Sequence, residues 1–317
     1  MIDINQAIEQ LSWHRQPYGL YEPIAYALEG GGKRLRPTLA MVACRMYDGE
    51  ENKALPVALA LEIFHNFTLL HDDVMDHAPV RRGRPTVHVR WDDNTAILSG
   101  VQMMTEAYVQ LEQVEPALLP RVLHLFNAMA TDIWGGQQLD MEFETRADVS
   151  IDEYLEMIRL KTSVLLGAAL RLGGLMAGAP EEDLETLYRI GERIGLAFQI
   201  QDDVLDVWGD EKTFGKRIGG DIVQNKKSLV QILALENANE EQLRQLKGWF
   251  HRSEFVEEEK IREVTKLYNE IDVRPLCEAR MAGYTEDAMR DIDRLHVPAE
   301  KKGELTEIAR KLLNRKN

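Results

Sequence analysis

An Asp-Asp-x-x-Asp pattern occurs twice in the sequence, in LLHDDVMD at 69–76 and in QIQDDVLD at 199–206. On a helix, Asp72 and Asp76 lie one turn apart on a single face, and so do Asp202 and Asp206. Carboxylates at this spacing repel one another, so a counter-charge must come from outside. Oxygen donors without histidine or thiolate favour a hard divalent cation, Mg²⁺ first. Mg²⁺ completes its octahedron with water and substrate phosphates. A single copy could equally be a solvated acidic helix end. Two copies, each abutting an apolar helix, suggest a phosphate-rich substrate gripped between them.

Cations cluster where such a substrate would need them. Lys33, Arg34 and Arg36 lie in GGGKRLRP, Arg81, Arg82 and Arg84 in PVRRGRP, and Lys216, Arg217, Lys226 and Lys227 in FGKRIGGDIVQNKKS. Any one such cluster is usually solvated surface, but three of them, two just beyond the aspartates, suggest anion-holding loops, since glycine lets backbone approach phosphate closely and arginine forks bind it bidentately. None of them carries the G-x-x-x-x-G-K-[ST] pattern of a P-loop, which argues against nucleotide chemistry of that kind.

The elements that must hold these side chains are helices. Apolar residues recur at helical spacing, as at Leu184, Leu187, Ile190, Ile194 and Phe198, and alternating strand patterns are scarce. His65, Thr68, Asp72 and Asp76 form one polar stripe on an apolar helix, and Gln199, Asp202 and Asp206 form another. Such stripes describe a water-poor cavity with a charged mouth; His65 by itself would ordinarily read as a hydrogen-bonded core histidine, and its place in the stripe makes a binding role equally good. The two aspartate helices are apolar almost all round and are expected at the centre, with charged helices such as VEEEKIREVTKLYNEI outside. Turn signals are short and none is a long linker. The expected fold class is therefore all-α: one large helical-bundle domain over residues 1–317 with a central active-site cavity.

A formal charge of −15 argues against a nucleic-acid or anionic-membrane surface. Cys44 and Cys277 are too few and too far apart for a disulfide framework or a thiolate metal site, and fit a reducing cytoplasm. The N-terminal MIDINQAIEQLSWHRQ lacks the pattern of a secretory signal. The weakly polar run from Ser163 to Ala179 is shorter than the roughly 20 residues a membrane span needs, and Arg171 interrupts it, so it reads as a core helix.

The order GGKRLRP, HxxxLLHDDVMD with RRGRPTVH, GGQQLD, KTS, FQIQDDVLD, and FGKRIGGDI with NKKS resembles the trans-isoprenyl diphosphate synthases, or polyprenyl synthetases, of the short-chain farnesyl and geranylgeranyl type. The resemblance spans nearly the whole chain. It implies an all-helical homodimer that uses Mg²⁺ to join isopentenyl diphosphate head-to-tail to an allylic diphosphate. Position by position, it implies that Asp72, Asp76 and Asp202 hold the metal on the allylic diphosphate, with Asp73, Asp203 and Asp206 in or near those clusters. Arg81, Lys161, Thr162, Gln199, Lys216 and Lys226 match contacts to the allylic substrate. Lys33, Arg36, His65 and Arg82 match the isopentenyl diphosphate site. Asp72, Asp76, Asp202, Lys161 and Lys216 are the expected catalytic set, and the C-terminal Arg315 matches only loosely.

Catalysis would then be electrostatic: metal and cationic side chains stabilise the departing pyrophosphate, with no nucleophilic side chain. The double bond of isopentenyl diphosphate attacks the resulting allyl cation, and by the resemblance the pyrophosphate takes the proton that is lost.

Product length should follow pocket depth below Asp72. Phe67 lies about 7.5 Å upstream along a helix, a plausible floor, and the helical wheel puts Thr68 more directly beneath Asp72. The Phe-Thr pair before the first aspartate motif resembles that of some geranylgeranyl-forming members of this family, which implies a C15 or C20 product, with C20 favoured. One departure is Val101, where many relatives carry aspartate after glycine; it puts pocket shape rather than metal binding in question. The competing readings are a terpene cyclase, whose second metal motif mixes Asn, Ser and Glu, and a non-catalytic subunit of a heteromeric prenyl synthase, which would tend to lose the aspartates kept here.

Overall fold

The computed structural model describes residues 2–210 and 218–313. The chain passes through α1 (Ile4–Glu9), α2 (Tyr18–Glu29), α3 (Leu35–Met46), α4 (Glu51–Met75), a short hairpin, α5 (Val87–Arg90), α6 (Asp93–Leu111), α7 (Leu119–Thr145), α8 (Ile151–Ile158), α9 (Val164–Met176) and α10 (Glu181–Trp208). Helices Gly220–Gln224, Leu229–Asn237, Glu240–Phe250, Glu257–Ile271, Val273–Arg294 and Ala299–Leu313 follow. The expected all-α class is the one observed.

The described residues divide into two compact units. One holds the chain as far as Asn127 together with Ala168–Tyr188 and Leu295–Leu305; the other holds Ala128–Gly167, Arg189–Arg294 and the residues from Thr306 onward.

In the first unit α4 is the central element. Ala54, Val57, Ala58, Ala60, Leu61, Ile63 and Phe64 are inaccessible, a distribution too dense for one amphipathic stripe, so the helix is enclosed all round. It packs chiefly on α6 and α3. By length and apolar composition α4 could cross a membrane, a feature not read from the sequence, but 78% of its apolar window is buried within the protein. That makes it a core helix. The Ser163–Ala179 run, expected in the core, is buried in both units: Val164 in the second, and Ala169, Leu170 and Leu172 in the first.

Helix α4 stops at Met75 because Asp76 caps it and His77 turns left-handed (φ 50°). The chain then folds into an antiparallel hairpin, β1 (Val80–Arg81) and β2 (Arg84–Pro85), with Arg81 opposite Arg84. Its loop residues Arg82 and Gly83 both have positive φ (53° and 73°), the requirement of a type I′ turn. In the same unit, buried Asp183 accepts hydrogen bonds from Tyr47 Oη (2.7 Å) and from His296 through its backbone N (3.1 Å), with Nδ1 at 2.8 Å.

The second unit is built on Phe143, Tyr154, Ile158, Ile200, Val204, Leu229, Leu233, Val264 and Tyr268, all buried. Helix α8 starts at a capping box between Ser150 and Glu153, which fixes its direction. It runs into a π-helical turn, Arg159–Ser163. Both cysteines, Cys44 in the first unit and Cys277 in the second, are buried and unpaired.

Candidate active site

At the end of α4 the three aspartates differ in depth. Asp72 is half-buried, Asp73 buried and Asp76 exposed. Asp73 faces the hairpin, where Arg81 donates from Nε to both of its oxygens at 2.8 Å and holds Nη2 in ion-pair contact with Oδ1 at 2.8 Å. Burial pushes the Asp73 carboxyl up, and the Arg81 guanidinium works against that. Asp73 therefore anchors the hairpin, while Asp72 and Asp76 share the water-accessible face. Among the described residues no three His, Cys, Asp or Glu side chains already converge on a metal-sized site. Such an open donor set suits Mg²⁺, which takes one or two carboxylates and fills its remaining positions with water and phosphate oxygens.

Two turns earlier, His65 sits among cations. Burial first, then the charges of Arg36, Arg82, Arg81 and Arg34, hold it well below the usual histidine range, so its ring is neutral near pH 7. Arg36 is lowered to about 10, mainly by burial, with Glu62 raising and Arg82 lowering it. It remains charged at pH 7, and its buried Nε–H meets no acceptor among the described residues. A buried donor without an acceptor is costly, so the group is suited to an incoming anion.

Arg34 is used differently. It donates from Nη1 to Glu62 (2.7 Å), from Nη2 to the Leu28 carbonyl (2.7 Å) and from Nε to Asn5 (3.1 Å). Asn66 Nδ2 also donates to Glu62 at 3.0 Å. This buried lattice fixes the start of α3. The glycine loop before it closes over Arg82, which donates to the Gly31 carbonyl. A Cβ on Gly32 would stand 2.9 Å from that guanidinium at φ 140°, so the closure needs glycine. Lys33 is exposed beside this loop.

In the second unit the π turn presents Lys161 and Thr162. It is clamped by glycines on both neighbours: a Cβ on Gly136 of α7 would lie 2.3 Å from Lys161 N, and one on Gly195 of α10 would lie 2.6 Å from Ser163 Cα. Lys161 Nζ donates to Asp140 at 2.5 Å, and Thr162 Oγ1 to Gln199 at 3.4 Å. Along α10, Asp202 is half-buried whereas Asp203 and Asp206 are buried. Asp203 accepts from Tyr154 Oη (2.6 Å) and Leu229 N (2.9 Å). Burial and the nearby Asp221 push its carboxyl up to about 7, against the pull of Tyr154, Lys226 and Leu229 N. Asp206 accepts from Asp221 N at 3.0 Å. Each D-D-x-x-D helix thus turns one aspartate outward in its first pair and buries the next as a structural anchor.

A family model for polyprenyl synthetases matches residues 17–270. The chain belongs to the polyprenyl synthetase family. It is 42% identical to the geranylgeranyl diphosphate synthase of Methanosarcina mazei over 235 residues, which is 74% of this chain and 72% of that protein. A crystal structure of a geranylgeranyl pyrophosphate synthase matches with a TM-score of 0.93 at 40% identity, covering 100% of both chains. A second, from Corynebacterium glutamicum and complexed with isoprenyl diphosphate and magnesium, matches with a TM-score of 0.87 at 26% identity over 99% of this chain and 98% of that one.

Of the residues this family membership draws attention to, Phe67 is buried on α4. Its ring meets Phe64 (5.8 Å) and His71 (4.7 Å) edge-on. His71 pairs with the Ile97 carbonyl at 3.1 Å and presses on Gly100, where a Cβ would lie 2.2 Å from its Nε2. Thr68 returns its hydroxyl to the His65 carbonyl at 2.8 Å. Lys216 and Arg217 lie outside the described residues, as does Arg315.

The sequence reading missed Glu62, Asn66, Asp140, Tyr154 and Asp221, the partners that hold the expected residues in place. Glu62 and Asn66 did carry a signal, since they are i and i+4 on an apolar helix. Asp140 and Asp221 stand within the GGQQLD and FGKRIGGDI stretches, whereas Tyr154 carried no signal, because its contact with Asp203 is remote in sequence.

Proposed function

We propose that the chain is a Mg²⁺-dependent prenyltransferase that condenses isopentenyl diphosphate head-to-tail with an allylic diphosphate, giving a short-chain product, C20 in preference to C15, and pyrophosphate. The arginine cluster around neutral His65, with the acceptor-less Nε–H of Arg36, carries this reading. A terpene cyclase takes a single diphosphate and has no use for a second anion site. Relatives called geranylgeranyl diphosphate synthases support the C20 product.

In this reading Asp72, Asp76 and Asp202 hold the metal, which when bound offsets charge on the leaving diphosphate. Lys161, Thr162, Gln199 and Lys226 bind the allylic diphosphate, with Arg81 at its edge and Lys216 assigned by motif alone. Lys33, Arg36, His65 and Arg82 orient isopentenyl diphosphate, His65 as an uncharged hydrogen-bonding group. Asp73, Asp203 and Asp206 act as anchors for the surrounding loops. Phe67 and Thr68 limit chain growth, and apolar side chains below the aspartates keep water from the cationic carbon.

The same proposal includes a single domain, supported by one family match that runs through both compact units. It includes a homodimer, with a second copy covering the apolar face of α6, where Ile97, Leu98, Val101 and Val109 are exposed. Val101, the departure from many relatives, makes that face more apolar. A cytoplasmic setting is supported by the two unpaired cysteines.

The test is incorporation of labelled isopentenyl diphosphate with dimethylallyl, geranyl or farnesyl diphosphate and Mg²⁺, followed by product sizing. Folded protein that elongates none of these primers would overturn the reading.

A further inference from the structure

Lys260 lies at 0% exposure in the helix Glu257–Ile271, in a stretch whose composition suggests a solvated surface. Its ammonium donates to the Val223 carbonyl (3.1 Å) and to Asn225 Oδ1 (2.6 Å), and it stands 4.2 Å from the centre of the Phe255 ring. Among the described residues no carboxylate pairs with it. A buried charge held only by neutral groups is unfavourable relative to an apolar side chain of similar volume, so plain packing gives no reason for a lysine here.

The partners of Lys260 indicate what it does. Val223 lies in the last turn of the helix Gly220–Gln224, whose carbonyl end favours a cation. Asn225 follows in the left-handed conformation (φ 55°), and its side chain is held at both ends, accepting from Lys260 and donating from Nδ2 to the Phe250 carbonyl at 3.1 Å. The next residue is Lys226, whose side chain is exposed. From there the backbone is fixed link by link: Lys226 N donates to the Asp221 carbonyl (2.9 Å), Ser228 N to the Lys226 carbonyl (2.8 Å), and Leu229 N to Asp203 (2.9 Å). Ile261, beside Lys260, packs where a Cβ on Gly219 would sit, at 2.7 Å, and so braces the opposite end of the same short helix.

We infer that Lys260 is a positioning residue for the reaction: its buried ammonium locks Asn225 and thereby sets the loop that presents Lys226 to the allylic diphosphate. This rests on the assignment of Lys226 in the proposed function. Lys260 touches no substrate and acts through Asn225.

Steady-state kinetics on the full-length enzyme test it, with KM measured separately for the allylic and isopentenyl diphosphates. Lys226→Ala is expected to raise the allylic KM about tenfold, the scale of one charge-assisted hydrogen bond. Lys260→Met should raise it by a similar factor and leave the isopentenyl KM within about twofold. Lys260→Arg should recover part of the loss. Adding Lys260→Met to Lys226→Ala should cause little further change, because both act through one group. Asn225→Gly keeps the left-handed backbone but removes both side-chain bonds, so it gives the same readout even if Lys260→Met fails to fold. If Lys226→Ala raises the allylic KM while Lys260→Met and Asn225→Gly do not, the positioning role is overturned and the assignment of Lys226 survives. If Lys226→Ala leaves that KM unchanged, both fall.

Discussion

Gly136 of α7 lies so close to the backbone of Lys161 that a Cβ would stand 2.3 Å from the Lys161 nitrogen. The π turn bearing Lys161 and Thr162 can exist only because this site is hydrogen. Gly136→Ala would push the turn away, and forced overpacking of this kind costs about 1–3 kcal/mol. Denaturant unfolding should register that loss, and kcat should fall with it because Lys161 moves. Gly135→Ala serves as the control, since its Cβ would have an ordinary contact at 3.9 Å with Leu160.

Asp72 and Asp73 are neighbours with opposite expected phenotypes. Asp72→Asn should lower kcat by about a hundredfold or more, the scale of losing one key electrostatic group, with stability within about 0.5 kcal/mol of the parent. Asp73→Ala strips Arg81 of its partner and should instead show first in stability, by about 1–3 kcal/mol. Paired thermal melts and turnover rates separate the two. A chelator should abolish turnover in the parent, with Mg²⁺ restoring it.

Phe67 fills space between Phe64 and His71. Phe67→Ala is expected to lengthen the products beyond C20, read by sizing the dephosphorylated alcohols. An unchanged product profile in active enzyme would remove Phe67 as the floor.

His296 is held above the usual histidine range by its hydrogen bond to Asp183, with Glu182 adding to the effect. A folded-state pKa above the unfolded one gives stability that is complete below about pH 6.5 and is lost as pH rises through the folded value. Urea midpoints of the parent should therefore decline across that interval relative to His296→Gln, which cannot titrate. Parallel curves for the two proteins would show that the pair is not coupled to folding.

Much of this was readable in the sequence because helical periodicity is local. The 3.6-residue spacing put His65, Thr68, Asp72 and Asp76 on one stripe and marked α4 as central, since its apolar residues exceed a single face. The charge pattern of Glu257–Ile271 suggested an outer helix, which holds for its glutamates and fails for Lys260. Lys260 falls on the stripe of Val264, Leu267 and Tyr268, so its spacing carried a warning that its chemistry hid.

By itself the sequence determined the helical class, the family motifs and the residue types that could bind metal and diphosphate, because these depend on spacing along one chain. Only the tertiary structure decided which member of each aspartate pair stays accessible and which becomes an anchor. Asp73 meets Arg81 through the hairpin, and Asp203 meets Tyr154 and Leu229 N across more than twenty residues of chain. A carboxylate's role is set by the donors around it, and folding brings those donors from distant parts of the sequence.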